Sequence, residues 1–327
     1  MPKPIPLVEP VISAVLPFNI QASPLSFLSE YAIVNSHNEP RLHSVQCLSP
    51  SGLHSMGYTE WGAADNRRVL ICVHGLTRLA RDFDRLARAM TPEYRVVCPD
   101  VVGRGRSDYL RDPMHYIVPQ YVADMVTLIA RLNVEQVDWV GTSMGGLIGI
   151  GLAGQANSPI RHLVINDVGP RLDAAAIARI GDYVGAPISF TDVDEAVDYI
   201  STIAAPFGLT RREDWRELVE PGLKRDGVRW TLHYDPRIAV PFKASTPERT
   251  SADERILWSL YDNIRCPTLV IRGAHSDLLS RETLGEMAAR GPKARTSEIP
   301  GVGHAPTLML HNEIAVVRQF LLGSAAR

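Results

Sequence analysis

Six short apolar runs, each bounded by charged or turn-forming residues, set the rhythm of the chain. They are RVLICVHG (68–75), YRVVCPD (94–100), VDWVG (137–141), RHLVIND (161–167), PTLVIRG (267–273) and the weaker ARTSEIP (294–300). Continuous rather than alternating hydrophobicity over such lengths predicts strands buried on both faces of a parallel sheet. Helical periods lie between them. In YVADMVTLIARL (121–132), Val122, Met125, Val126 and Ile129 follow the i, i+3, i+4, i+7 spacing of a helix with one apolar stripe. Alternation of strand and helix predicts a doubly wound α/β sheet.

Residues 171 to 263 interrupt this rhythm. DAAAIARIGDYV, DVDEAVDYISTIAA, TRREDWRELV and ADERILWSLYDNI read as helices with no core strand between them. The pattern predicts a helical cap inserted into the sheet domain, with core segments at 42–170 and 264–327. Residues 1–41 read as an N-terminal extension spaced by prolines.

Composition narrows the function classes. The 327 residues are 45% hydrophobic and 21% charged, with a formal net charge of -2. That balance supports a large core and offers no basic field for nucleic acid. No apolar run reaches the roughly 18 residues needed to span a bilayer. The N-terminal IPLVEPVISAVLPFNIQASP is broken by Glu9, Pro6, Pro10 and Pro17, unlike the h-region of a signal peptide. The four cysteines Cys47, Cys72, Cys98 and Cys266 are scattered. They are expected as thiols in a reducing, cytoplasmic setting. A homo-oligomer is left open.

The segment VDWVGTSMGGLIGIGLA (137–153) carries the chemistry. An apolar strand passes through Gly141-Thr142-Ser143-Met144-Gly145 into a second apolar run of small residues. A strand that turns abruptly into a helix strains its apex residue and needs small neighbours, and the strain exposes the apical hydroxyl. Amides at the helix start point toward whatever binds there. Serine needs a base, the base an orienting acid, and the oxyanion fixed donors. His304, in GVGHAP after the last strand, is the expected base. Asp277, in AHSDLL after PTLVIRG, is the expected acid, with Asp167 at the end of RHLVIND as its rival. All end strands at the edge where open α/β sheets bind ligands. The backbone N–H groups of Leu76 and Met144 are the expected oxyanion donors.

These motifs together resemble the α/β-hydrolase fold family, in its cap-bearing, serine-esterase-like branch of esterases, lactonases and C–C bond hydrolases. His74-Gly75-Leu76 matches the strand end that carries the oxyanion loop. DVVGRGRSD (100–108) is similar to the family's DxRGHGxS loop, with Arg104 where histidine is usual. Ser143 sits in a GxSxGG elbow, Asp277 in a GxxD loop and His304 in a GH segment. The resemblance implies a mostly parallel eight-stranded sheet, flanked by helices and topped by a cap, over roughly residues 42–325. It implies a serine hydrolase that cleaves carboxylic esters of small to medium size through a covalent acyl-enzyme, without metal or organic cofactor.

Alternatives stand beside that expectation. The same triad could act on a C–C bond, a thioester or a lactone, or transfer acyl groups; more remotely, the fold could serve as a non-catalytic receptor. Thr142, where C–C hydrolases of this fold often carry asparagine, favours esters, and Ser143 excludes the aspartate nucleophile of dehalogenases and epoxide hydrolases. His74 is expected to anchor the oxyanion loop rather than act as base. His233, His275 and His311 are expected to be structural or exposed, and Asp100 and Asp124 to be structural partners. Trp230, Tyr234 and Trp258 of the cap are candidates for lining an acyl pocket.

Overall fold

A computed structural model of the protein describes residues 39–171, 181, 183–244 and 246–323. Eight strands form one sheet in the order β1 (Arg41–Ser49), β2 (Gly52–Trp61), β4 (Arg95–Pro99), β3 (Val69–Val73), β5 (Val137–Thr142), β6 (Ile160–Asn166), β10 (Thr268–Gly273), β11 (Arg295–Ile299). The six predicted runs are β3 (Val69–Val73), β4 (Arg95–Pro99), β5 (Val137–Thr142), β6 (Ile160–Asn166), β10 (Thr268–Gly273) and β11 (Arg295–Ile299), all mutually parallel. Val69, Ile71 and Val73 of β3 enter the core on one face, whereas Leu70 and Cys72 enter the core on the other. Apolar residues at every position therefore reflect a strand covered on both sides.

The edge of the sheet was less legible. β1 (Arg41–Ser49) and β2 (Gly52–Trp61) form an antiparallel hairpin, with Ser49 paired to Gly52 around a two-residue turn. Edge strand β1 alternates between exposed and covered positions, as one wet face requires, so no continuous apolar run marks it. It is tied to the helix α2 (Val118–Leu132) by a buried polar chain. His54 Nε2 and Asp124 Oδ2 lie 3.0 Å apart, and Gln120 Nε2 donates to both Asp124 Oδ1 and the Leu48 carbonyl. Cys47 completes this cluster; burial and the Asp124 charge push its thiol up to about 12, so it carries its proton.

α2 buries Tyr121, Met125, Leu128, Ile129 and Leu132, while Val126 is half exposed. The apolar stripe thus runs one position away from the predicted Val122–Val126 line, because Tyr121 rather than Val126 joins Met125 in the core. Helix α1 (Asp84–Met90) and the C-terminal helix α9 (His311–Gly323) cover one face of the sheet. α2, α3 (Met144–Ala153) and α7 (Pro247–Asn263) cover the other.

The segment between β6 and β10 holds the insertion. Three of its predicted helices are present, as α4 (Val193–Ile203), α5 (Arg212–Val219) and α7. The predicted helix DAAAIARIGDYV falls largely on residues 172–180 and 182, outside the described residues. Two corrections concern this region. It is not wholly helical: β7 (Ser189–Phe190), β9 (Arg229–Leu232) and β8 (Leu223–Asp226) build a small antiparallel sheet. The Asp226-Gly227 pair enters the β8–β9 turn, a hairpin signal that stands in the sequence. The boundary also shifts, because α7 packs on α3 and adds Trp258 and Tyr261 to the main core. The rest of the insertion has its own small core around Val197, Trp215, Leu218 and Leu223. α8 (Arg281–Ala289) connects β10 to β11, and the short α6 (Ala239–Lys243) precedes α7. No helix among the described residues is long and apolar enough to cross a membrane.

Candidate active site

The junction of β5 and α3 is the sharp turn that the sequence predicts. Ser143 has φ 52° and ψ -114°, left-handed backbone that a non-glycine residue adopts only when its surroundings impose it. The imposition comes from the flanks. A Cβ on Gly145 would lie 2.0 Å from the Val73 carbonyl oxygen, and one on Gly141 would lie 2.1 Å from the Gly145 carbonyl oxygen. Only glycine permits that approach of strand and helix. Ser143 donates its amide to the Asn166 carbonyl at 2.8 Å, which fixes the apex against β6.

The imidazole of His304 stands between two partners. Its Nε2 is 3.0 Å from Ser143 Oγ, and its Nδ1 is 2.8 Å from Asp167 Oδ2. Asp167 is fully buried and follows directly on β6. Its amide donates to the Ile271 carbonyl at 2.8 Å, and its Oδ1 accepts from the Gly273 amide at 2.9 Å. The carboxylate is therefore locked by β10 on one oxygen and offered to the imidazole on the other.

This arrangement corrects the expected carboxylate neighbour of His304. Asp277 is exposed, in the loop after β10, and Asp167 occupies the place beside His304. The cause is visible in Arg272, a buried residue that sequence reasoning missed. Its guanidinium donates to the carbonyls of Ala274, Ser276 and Leu279, holding that loop in its own curl. Both aspartates follow closely on strands, so sequence position alone does not separate them.

The candidate oxyanion edge is built from the first residue of α3 and the loop after β3. Met144 opens α3, so its N–H has no acceptor within the helix. The Gly75 backbone approaches Ser143, with a hypothetical Cβ 3.7 Å from the serine Cβ, and Leu76 follows it. His74 anchors this loop. Its Nε2 accepts from the Val101 amide at 2.9 Å and its Nδ1 donates to the Gly75 carbonyl at 2.7 Å. An amide can only donate and a carbonyl only accept, so the ring is neutral with its proton on Nδ1. Burial pushes this imidazole down to about 3, with the nearby Arg104 and Arg78 charges acting in the same direction.

The remaining candidates separate. Asp100 is a structural partner, its carboxylate accepting the amides of Ala80 and Arg106, and burial pushes it up. His275 and His311 are exposed, and His233 is half-buried. Among the pocket candidates, Trp258 packs edge-on against Tyr261 beneath the Arg290 guanidinium, inside the main core. Trp230 lies on β9 under the Arg225 guanidinium. Neither contact points to the triad. Tyr234 is buried where the insertion meets the 100–108 loop, forming a backbone bridge with Arg104.

Comparison with known proteins agrees with the fold. A family model described as the alpha/beta hydrolase fold matches residues 68–308. A Cupriavidus necator protein named 3-hydroxybutyrate-oligomer hydrolase is 57% identical over 289 residues, covering 87% of this chain and 99% of that protein. Among solved structures, a hydrolase from Rickettsia typhi, described there as putative, aligns with TM-score 0.79 at 31% identity, covering 86% of this chain and 99% of the other. An alpha/beta hydrolase from Novosphingobium aromaticivorans aligns with TM-score 0.77 at 32% identity, covering 87% and 99%.

Proposed function

The chain belongs to the alpha/beta hydrolase family, and from that premise we propose that it is a serine esterase whose triad is Ser143, His304 and Asp167. The observation that carries the reading is the imidazole of His304 within hydrogen-bonding distance of both the hydroxyl and the buried carboxylate. In this mechanism His304 takes the proton of Ser143 as the serine oxygen attacks the ester carbonyl. Asp167 keeps the Nδ1 tautomer in place and stabilises the imidazolium. The amides of Leu76 and Met144 receive the developing oxyanion, where one donor is worth about 3 kcal/mol in another hydrolase. His304 then protonates the departing alcohol and activates the water that frees the acid.

For substrate, the reading is a short linear oligoester of 3-hydroxy acids. Its support is the 57% identity to the Cupriavidus necator protein across nearly all of that protein's length. The test is release of 3-hydroxybutyrate from its dimer and trimer by the wild type and by Ser143→Ala. Turnover of both oligomers by the wild type and none by the variant is expected. Full turnover by Ser143→Ala would overturn the triad, and turnover of p-nitrophenyl butyrate with no action on the oligomers would overturn the substrate class alone.

A further inference from the structure

Arg104 is fully buried, yet among the described residues no carboxylate oxygen lies within 4.0 Å of its guanidinium. A buried cation is ordinarily paired, since desolvation without compensation is costly. The neighbours of Arg104 are neutral. Nε donates to the Leu76 carbonyl at 2.8 Å, Nη1 to the Val102 carbonyl at 2.7 Å and the Tyr121 hydroxyl at 3.1 Å, and Nη2 reaches Met144 Sδ at 3.5 Å. The rings of Tyr121 and Tyr116 lie 5.1 and 5.8 Å from the guanidinium carbon. The Tyr116 hydroxyl donates to Asp235 Oδ2 at 2.7 Å, so that carboxylate is bonded to the phenol and not to the guanidinium.

Two of these four partners are the residues to which the proposed mechanism gives the oxyanion. Arg104 thus joins the loop after β3, through Leu76, to the start of α3, through Met144.

We propose that Arg104 is a positioning residue of the oxyanion site: it sets the spacing between Leu76 and Met144 and leaves a fixed, unpaired positive charge behind them that negative charge on the substrate oxygen compensates. This rests on the triad reading above. The ground-state ester is neutral at the carbonyl and gains little from that charge, whereas the tetrahedral state gains much. The expected signature is therefore in kcat rather than KM. Preorganised charge in a dry site needs no rearrangement at the moment of reaction.

The test compares Arg104→Met, Arg104→Gln and Arg104→Lys with the wild type on p-nitrophenyl butyrate, each normalised to the serine titrated by a fluorophosphonate. Phenylboronic acid is the second probe. The serine oxygen adds to boron, the proton passes to His304, and the boronate carries the negative charge. For Arg104→Met, kcat is expected to fall at least about tenfold with KM changed by less than about threefold. Phenylboronic acid affinity is expected to weaken by a matching factor, and Arg104→Lys to recover part of both losses. Arg104→Gln, which keeps a polar head against Tyr121, gives the neutral comparison if the methionine variant does not fold. Unchanged kcat and boronate affinity in the neutral variants, or a kcat loss with unchanged boronate affinity, would overturn the proposal. A wild type that takes up no fluorophosphonate would instead overturn the triad reading on which it stands.

Discussion

Asp167 accepts the amide of Gly273 at 2.9 Å through the one carboxylate oxygen that His304 does not use. The residue that follows β6 is thereby held by the residue that ends β10, and the imidazole of His304 meets a carboxylate already fixed.

The elbow depends on the missing side chain of Gly145. An alanine methyl there would meet the backbone carbonyl of Val73 at 2.0 Å, and backbone in a central strand has little room to yield. Gly145→Ala is expected to destabilise by about 3 kcal/mol or more, the upper range for overpacking, and to abolish ester turnover. Urea unfolding measures the first effect. A variant as stable and active as the wild type would show that strand and helix are less closely apposed.

The neutral His74 imidazole makes stability depend on acid. Its folded-state pKa is pushed down to about 3, so between roughly pH 6.5 and 3 the unfolded chain takes up a proton that the folded one refuses. The His74 contribution is fully present above pH 6.5 and declines by about 1.4 kcal/mol per pH unit below it. The stability advantage of the wild type over His74→Gln is expected to be largest at neutral pH and to shrink on acidification. A pH-independent difference would contradict the neutral assignment.

Where the insertion meets the sheet domain, the Tyr116 hydroxyl donates to Asp235 Oδ2 and accepts from the Leu110 amide, both at 2.7 Å. Asp235 also donates its amide to the Gly103 carbonyl, and Gly105 donates to the His233 carbonyl. Tyr116→Phe strips a buried carboxylate and a buried amide of one partner. Destabilisation of about 1–3 kcal/mol is expected, read as a lower Tm. An unchanged Tm would mean that other groups take up both bonds.

The central strands, the elbow, the serine and the histidine were legible because each is a local pattern: continuous apolar runs, glycines about a hydroxyl, a glycine before His304. What escaped depended on distant parts of the chain. Asp167 and Asp277 look alike in sequence, and the choice between them rests on how Arg272 ties down one loop and Gly273 grips the other carboxylate. Edge strand β1 hid because alternation over a polar surface resembles loop. Val126 and Tyr121 exchanged places on α2 because apolar residues occupy both positions, and packing against the core, not periodicity, chose between them. The β8–β9 hairpin was marked by Asp226-Gly227, a signal outweighed by the helical character of its surroundings.

The most direct test of the triad is a side-by-side measurement of kcat/KM for Asp167→Asn and Asp277→Asn on p-nitrophenyl butyrate. Asparagine at 167 keeps the shape but no longer holds the imidazole in its productive tautomer, and a loss of about 10⁴-fold is expected by analogy with the same change in a serine protease. Asp277→Asn is expected to stay near wild-type activity. The reverse result, with Asp167→Asn active and Asp277→Asn inactive, would contradict the account.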